Sequence, residues 1–302
     1  MFKLRCARFV MVGLLSFAMA AVCIAADNAP APGTAENAAK GQRVFSAGHS
    51  FHTFMPPILN EMAKAAGIED HKQVGVQSIG GSRVIQHWNA PEEENKARQA
   101  LATGEVDVLT LSPIYLPDEG IENFVKLGLE KNPQMRIGVQ EFWLPFDVYA
   151  INYQKQRPQA VDRNTRTSEE MRKEHAEYFQ NMDDRVRELN KKSGKPAVFV
   201  IPVGQAVIAL REKIISGEAP GLEAQNDLFS DAIGHPTPPL RALVAYCHFA
   251  AIYGRTPVGL PLPSILEKSG KPHWDAKLNS LLQQLAWEAV SAHPLSGVGA
   301  GQ

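Results

Sequence analysis

The stretch VFSAGHSFH, residues 44–52, decides how the rest of the chain is read. An apolar run ends in Ser46-Ala47-Gly48, and Ser50 then stands between His49 and a Phe51-His52 pair. A serine in that place is either a nucleophile held at the end of a buried strand or a residue whose hydroxyl caps the next helix.

Around this stretch, short β-branched runs alternate with helical patterns. Strands are expected at Arg43–Ala47, Val74–Ser78, Val106–Leu111, Met135–Gln140 and Ala197–Pro202. Helices are expected at about Thr53–Ala66, Glu92–Thr103 and Gly120–Lys131. This alternation predicts an α/β fold, a three-layer α/β/α sandwich around a mostly parallel five-stranded sheet. Ligands of such sheets bind outside the carboxyl ends of the strands, and Ser50 falls just past the end of the first.

One segment, about 154–195, breaks the alternation. TSEEMRKEHAEYFQNMDDRVRELNKK (167–192) is strongly charged and carries Met171, Tyr178, Met182, Val186 and Leu189 at helical spacing. Thr167 with Glu170 three residues on forms a capping box, so a helix is expected to start there. It is either a lid or partner-binding arm, or an amphipathic helix packed on the domain.

The N-terminus has the pattern of an export signal. Lys3, Arg5 and Arg8 precede an uncharged apolar stretch from Phe9 to Ala26, and Cys23 and Ala25 offer small residues for cleavage near Ala26 or Asp27. The alternative is an uncleaved anchor, since the stretch is about long enough to span a bilayer. No other segment has that apolar length, so no stable membrane insertion is expected once residues 1–26 are removed. DNAPAPGTAENAAKG (27–41) reads as a flexible linker, and the folded domain as 42–302. Without the signal the formal charge moves from −1 to −4, which argues against a nucleic-acid partner. Of the three cysteines only Cys247 lies outside the signal, in an apolar setting that reads as core.

Three further stretches bear on Ser50: SIGGSRVIQHW (78–88), LTLSPIYLPDEG (109–120) and DLFSDAIGHPTPPLRALVAYCHFAAIYGRTPVG (227–259). With Gly48-His49-Ser50-Phe51 they resemble, in order and spacing over residues 43–258, the blocks of the SGNH or GDSL-like hydrolases, in particular bacterial exported members. The resemblance implies a flavodoxin-like fold and a serine esterase that needs no cofactor and no metal. Carried onto this sequence, it makes Ser50 the nucleophile, His235 its general base and Asp231 the acid that orients the imidazole. Gly81, with Gly80 allowing close approach, would donate an N–H to the oxyanion beside that of Ser50.

Two departures from the family pattern stand out. Asp231 and His235 have three residues between them where the family has two, which keeps Asp227 as a reserve acid. The oxyanion Asn or Gln after the third strand is replaced by Ser112, and the nearest comparable amide is Gln140 after the fourth.

His49, His52 and His87 with Asp147 match no short zinc motif. His87 and Trp88, with Trp143 in QEFWLPFD (140–147), are candidates for a substrate pocket, a tryptophan stacking on a sugar; the alternative is that both tryptophans edge the core. The expected partner is a small-molecule or carbohydrate ester, with O-acetyl among its acyl groups. The other class of function is a catalytically silent protein that binds a glycan or other ligand in the same cleft.

Overall fold

Five short segments form the strands β1 (Arg43–Gly48), β2 (Lys72–Ser78), β3 (Val108–Leu111), β4 (Arg136–Gln140) and β5 (Val198–Ile201). They pair in the order β2-β1-β3-β4-β5, and every pairing is parallel. All residues of β3 and β5 are buried, as strands covered on both faces must be, and Thr110 is the one polar residue among them. The computed structural model describes Met1 and residues 40–149 and 162–299. The expected signal after Met1, most of the expected linker and residues 154–161 of the charged segment lie outside the described residues. Backbone contacts separate Met1–Asn37 from Ala38–Gln302, and the fold belongs to the second unit.

The helices are α1 (Met55–Ala65), α2 (Val84–Trp88), α3 (Lys96–Ala102), α4 (Glu119–Lys131), α5 (Ser168–Ser193), α6 (Val203–Ile215), α7 (Pro238–Tyr253), α8 (Ser264–Glu267) and α9 (Ala276–Ala292). From β1 the chain steps to β2 on one side, then crosses back to β3, β4 and β5 on the other. Right-handed crossovers therefore set α1 on one face and α3, α4 and α5 on the opposite one. The packing agrees: α1 lies on α7 and α7 on α9, whereas α2 and α3 lie on α4. This is an α/β fold with the 2-1-3-4-5 order of flavodoxin-like sheets, and the reversal between β1 and β3 makes the crevice at their carboxyl ends the natural ligand position.

The helix expected from Glu92 starts at Lys96, because Asn95 Oδ1 accepts the N–H of Arg98 and caps it there. α5 begins after the Thr167–Glu170 capping box, and its buried stripe of Met171, Tyr178, Met182, Val186 and Leu189 packs the helix on β5 and α6. The surface-helix reading fits residues 168–193. α7 had no counterpart in the sequence reading: thirteen of its residues are buried, so it shows no apolar stripe to detect. Cys247 lies in it, fully buried, and burial pushes its thiol pKa up. Among the described residues no helix is long and apolar enough to cross a membrane.

Candidate active site

Ser50 lies in the turn that joins β1 to α1. His49 O accepts the N–H groups of His52 and Thr53 at 2.9 and 3.0 Å. Gly48 is needed at the strand end, since a Cβ there would stand 2.9 Å from Cδ2 of His52. Ser50 is not the N-cap of α1: that position is Phe54, whose side chain makes no capping bond. Ser50 is exposed, and its Oγ lies 2.9 Å from Nε2 of His235.

His235 and Asp231 share a small loop closed by an antiparallel bridge between Phe229 and Pro236 and by Ser230 N–H donating to His235 O at 2.8 Å. Asp231 Oδ2 is 2.5 Å from His235 Nδ1, while Oδ1 accepts the N–H groups of Gly234 at 2.9 Å and His235 at 3.1 Å. Gly234, at φ +108°, absorbs the extra residue between acid and base in a conformation open to glycine. Asp227 is engaged differently: its Oδ2 accepts the N–H groups of Glu223 and Ala224, both at 2.9 Å.

Burial works to raise the Asp231 pKa, but the hydrogen bonds from His235 and Gly234 outweigh it and hold the carboxyl below its ordinary value. An ionised carboxylate only accepts, so Nδ1 of His235 carries the proton and Nε2 is free to accept from the Ser50 hydroxyl. The arrangement can therefore take a proton from Ser50 and hold the resulting imidazolium.

Ile79 N–H donates to Gly48 O at 3.1 Å, which brings Gly80 and Gly81 out beside the turn of Ser50. Both glycines are exposed, and Gly81, at φ +59°, has open space where a Cβ would be. Ser112 and Gln140 differ from expectation. Both are buried. Gln140 Nε2 donates to Phe51 O at 3.1 Å and reaches Ser112 Oγ at 3.5 Å, while its Oε1 faces His52 Nδ1 at 2.8 Å. Ser112 Oγ also lies 3.3 Å from Nε2 of His49. Phe51 N–H donates to Nδ1 of the same ring, so in the neutral imidazole Nε2 is the donor. These two side chains are buried and bonded to the turn that carries Ser50.

His87 and Trp143 are likewise corrected. His87 is buried, with Ser82 Oγ 2.7 Å from Nε2 and Gln77 Nε2 3.3 Å from Nδ1, and it fixes the loop behind Gly80-Gly81. Trp143 is 2% exposed, stacked on Phe51 with centroids 4.6 Å apart, and its Nε1–H donates to Gly234 O at 2.9 Å. Buried in this way it offers no face to a sugar. Trp88 packs edge-on against Phe124 beneath Arg98. His49, His52, His87 and Asp147 have separate partners, and no group of three metal-ligating side chains occurs among the described residues. Sequence reasoning missed Phe51, whose ring meets His235 edge-on at 5.2 Å, and Arg163, which holds the His235 loop. Adjacency to Ser50 was the signal for the first; the second, a lone arginine in a charged segment, carried none.

No family model matches the chain, and no curated protein matches it either. Among solved structures it is similar to a protein described as a GDSL-like lipase from Parabacteroides merdae, at 18% identity and a TM-score of 0.41, over 72% of this chain and 98% of that one. It is also similar to the periplasmic domain of a lipopolysaccharide acetyltransferase from Salmonella ser. Paratyphi A, at 11% identity and a TM-score of 0.33, over 53% of this chain and 66% of that one.

Proposed function

We propose that the chain is an SGNH or GDSL-like serine hydrolase that cleaves an ester of a small molecule or carbohydrate, and that it is exported by its first 26 residues. The observation that carries the reading is the unbroken line from Asp231 Oδ2 to His235 Nδ1, 2.5 Å, and from His235 Nε2 to Ser50 Oγ, 2.9 Å. Lys3, Arg5 and Arg8 ahead of the apolar stretch support export.

In this mechanism Ser50 Oγ bonds to the ester carbonyl carbon as its proton passes to His235 Nε2. The carbonyl oxygen takes the negative charge, facing the N–H groups of Ser50 and Gly81, each donor contributing on the order of 3 kcal/mol in the transition state. The C–O bond to the alcohol breaks as His235 returns the proton to the leaving oxygen. Water then repeats the sequence on the acyl-enzyme, releasing acid and restoring Ser50.

The test is labelling by a fluorophosphonate probe together with turnover of p-nitrophenyl esters of rising chain length. Stoichiometric labelling at Ser50, lost with all turnover in Ser50→Ala, is the expected result. A second reading, a glycan-binding protein without catalysis, is favoured by the engagement of Ser112 and Gln140, the two candidates for the family's side-chain oxyanion donor, in other bonds. Resistance to the probe, with glycan binding unchanged in Ser50→Ala, would establish it in place of the hydrolase.

A further inference from the structure

The loop that carries Asp231 and His235 has little apolar anchorage: Asp231, Ala232 and Ile233 are all exposed. It is held by its carbonyls instead. Arg163 Nη1 lies 3.4 Å from Asp231 O and Nη2 donates to Ala232 O at 2.9 Å. Phe146 N–H donates to Ile233 O at 3.1 Å, and Trp143 Nε1–H to Gly234 O at 2.9 Å. Four successive carbonyls of the loop thus take donors from residues 143–163, a part of the chain remote from it in sequence.

Arg163 is the buried centre of this arrangement. Its side chain is 3% exposed, its Nε donates to Asp147 Oδ1 at 3.2 Å, and its guanidinium lies 4.3 Å over the Phe229 ring at the foot of the loop. Asp147 is gripped in turn by Arg211, whose Nη1 and Nη2 reach its two oxygens at 3.0 and 2.6 Å. Phe146 and Asp147 both sit at φ +56°, a conformation that side chains other than glycine rarely hold unless their surroundings impose it. Here the imposed geometry aims Phe146 N–H at Ile233 O and the Asp147 carboxylate at both guanidinium groups. A fork of this kind fixes direction as well as distance, which a lysine ammonium cannot. Arg163 also closes the space beside Gly234, where a Cβ would stand 3.0 Å from its Nη2.

We propose that Arg163 is a positioning residue: by binding the carbonyls of Asp231 and Ala232 it sets the loop so that His235 Nε2 stays within hydrogen-bond reach of Ser50 Oγ. The role rests on the serine-hydrolase reading. It assigns part of the charged segment, which the sequence reading treated as a surface helix or lid, to the alignment of the base. A small displacement of a general base is costly, with about 100-fold in rate for roughly 1 Å.

The experiment compares the full chain with its Arg163→Met, Arg163→Lys and Trp143→Phe variants, the last keeping the stack on Phe51 while losing the N–H donor. Active sites are counted by fluorophosphonate titration, and kcat and KM for a p-nitrophenyl ester are expressed per titrated site. Arg163→Met is expected to lower kcat per site about 100-fold with KM within about twofold. Arg163→Lys should recover part of the loss, and Trp143→Phe should show a smaller loss of the same kind. A merely structural role would instead reduce the number of titratable sites and leave kcat per site unchanged, and that result overturns the proposal. A second readout does not depend on turnover. In protein labelled with 15N-histidine, the Nδ1–H resonance of His235 should broaden or disappear in Arg163→Met while the buried imidazoles keep their signals. If it stays sharp and unshifted, the positioning role is wrong whether or not the protein hydrolyses an ester. If wild-type protein is inert to probe and esters yet this resonance is lost in the variant, it is the hydrolase reading that fails.

Discussion

Gln140 at the end of β4 accepts a hydrogen bond from Nδ1 of His52, 2.8 Å away, and so ties the turn that presents Ser50 to a strand two places across the sheet. The amide of the same side chain donates to Phe51 O at 3.1 Å, which fixes its orientation and leaves Oε1 for the imidazole. On the other side of the ring, Nε2 lies 2.9 Å from Thr110 Oγ1 of β3. The Ser50 turn is therefore braced by polar bonds beneath it as well as by apolar packing.

Gln140→Ala should be costly for that reason. It leaves both the His52 N–H and Phe51 O buried without partners, a loss of about 1–3 kcal/mol for each group stranded. Urea unfolding measures it, and fluorophosphonate labelling of Ser50 should slow in parallel. Unchanged stability would mean that water replaces the amide.

Gly48→Ala tests the same brace from above. The added Cβ would meet the His52 ring at 2.9 Å, and the ring, bonded at both nitrogens, has no room to yield. Overpacking of this kind costs about 1–3 kcal/mol. A shift in the urea midpoint is expected, with esterase activity falling more than stability because Ser50 is two residues away.

Asp231→Asn separates the two candidate acids. It removes the charge facing His235 Nδ1 and favours the wrong tautomer, and turnover should fall by roughly 10⁴ with the fold intact. Asp227→Asn should leave turnover within about twofold; its carboxylate caps a turn, so the loss belongs to stability, at about 1 kcal/mol. The reverse pattern in the two kcat values would reassign the acid.

Acid should unfold the protein early. Burial pushes His49 and His248 down to about 3 and His52, His87 and His175 down to about 4. In the unfolded chain each of the five takes up a proton below about pH 6.5. The unfolded state then binds more protons, so their contribution is complete above pH 6.5 and is lost as pH falls towards 4. Each adds a slope of up to about 1.4 kcal/mol per pH unit. Buried Glu141, raised by burial to about 7, acts the other way, stabilising at low pH and losing that contribution as pH rises from 4.5 through 7; one group does not offset five. Urea midpoints at pH 7.5, 6 and 5 should fall steeply, whereas a flat series would mean that the histidines charge within the fold.

The parallel sheet was legible because buried strands announce themselves locally: VFVI is apolar at every position and VLTL at all but Thr110, with polar or turn residues close on either side. The Thr167–Glu170 box was legible for a similar reason, since a cap is a contact between residues three apart. The pairing of Ser50 with His235, across 185 residues, was reached by likeness of blocks and not from local pattern. Short-range signals determine elements, and they do so whether or not the elements are later brought together.

What the tertiary structure decided is which polar side chains face solvent and which are spent inside. His87, Trp143, Ser112 and Gln140 have residue types suited to a substrate pocket, and in sequence nothing distinguishes them from Ser50 or Gly81. They are buried because Ser82, Gly234, His49 and His52 supply their hydrogen-bond partners from other elements. The same holds for the acid. In sequence Asp231 is the first candidate and Asp227 the reserve; what sets Asp231 against His235 is a loop in which Gly234 turns at positive φ while Arg163, Phe146 and Trp143 hold its carbonyls. A buried polar group must find a partner wherever the fold provides one. That requirement is satisfied in three dimensions, so the sequence alone determined the strands, the helices with caps or stripes and the candidate residues, and the packing determined which candidates meet.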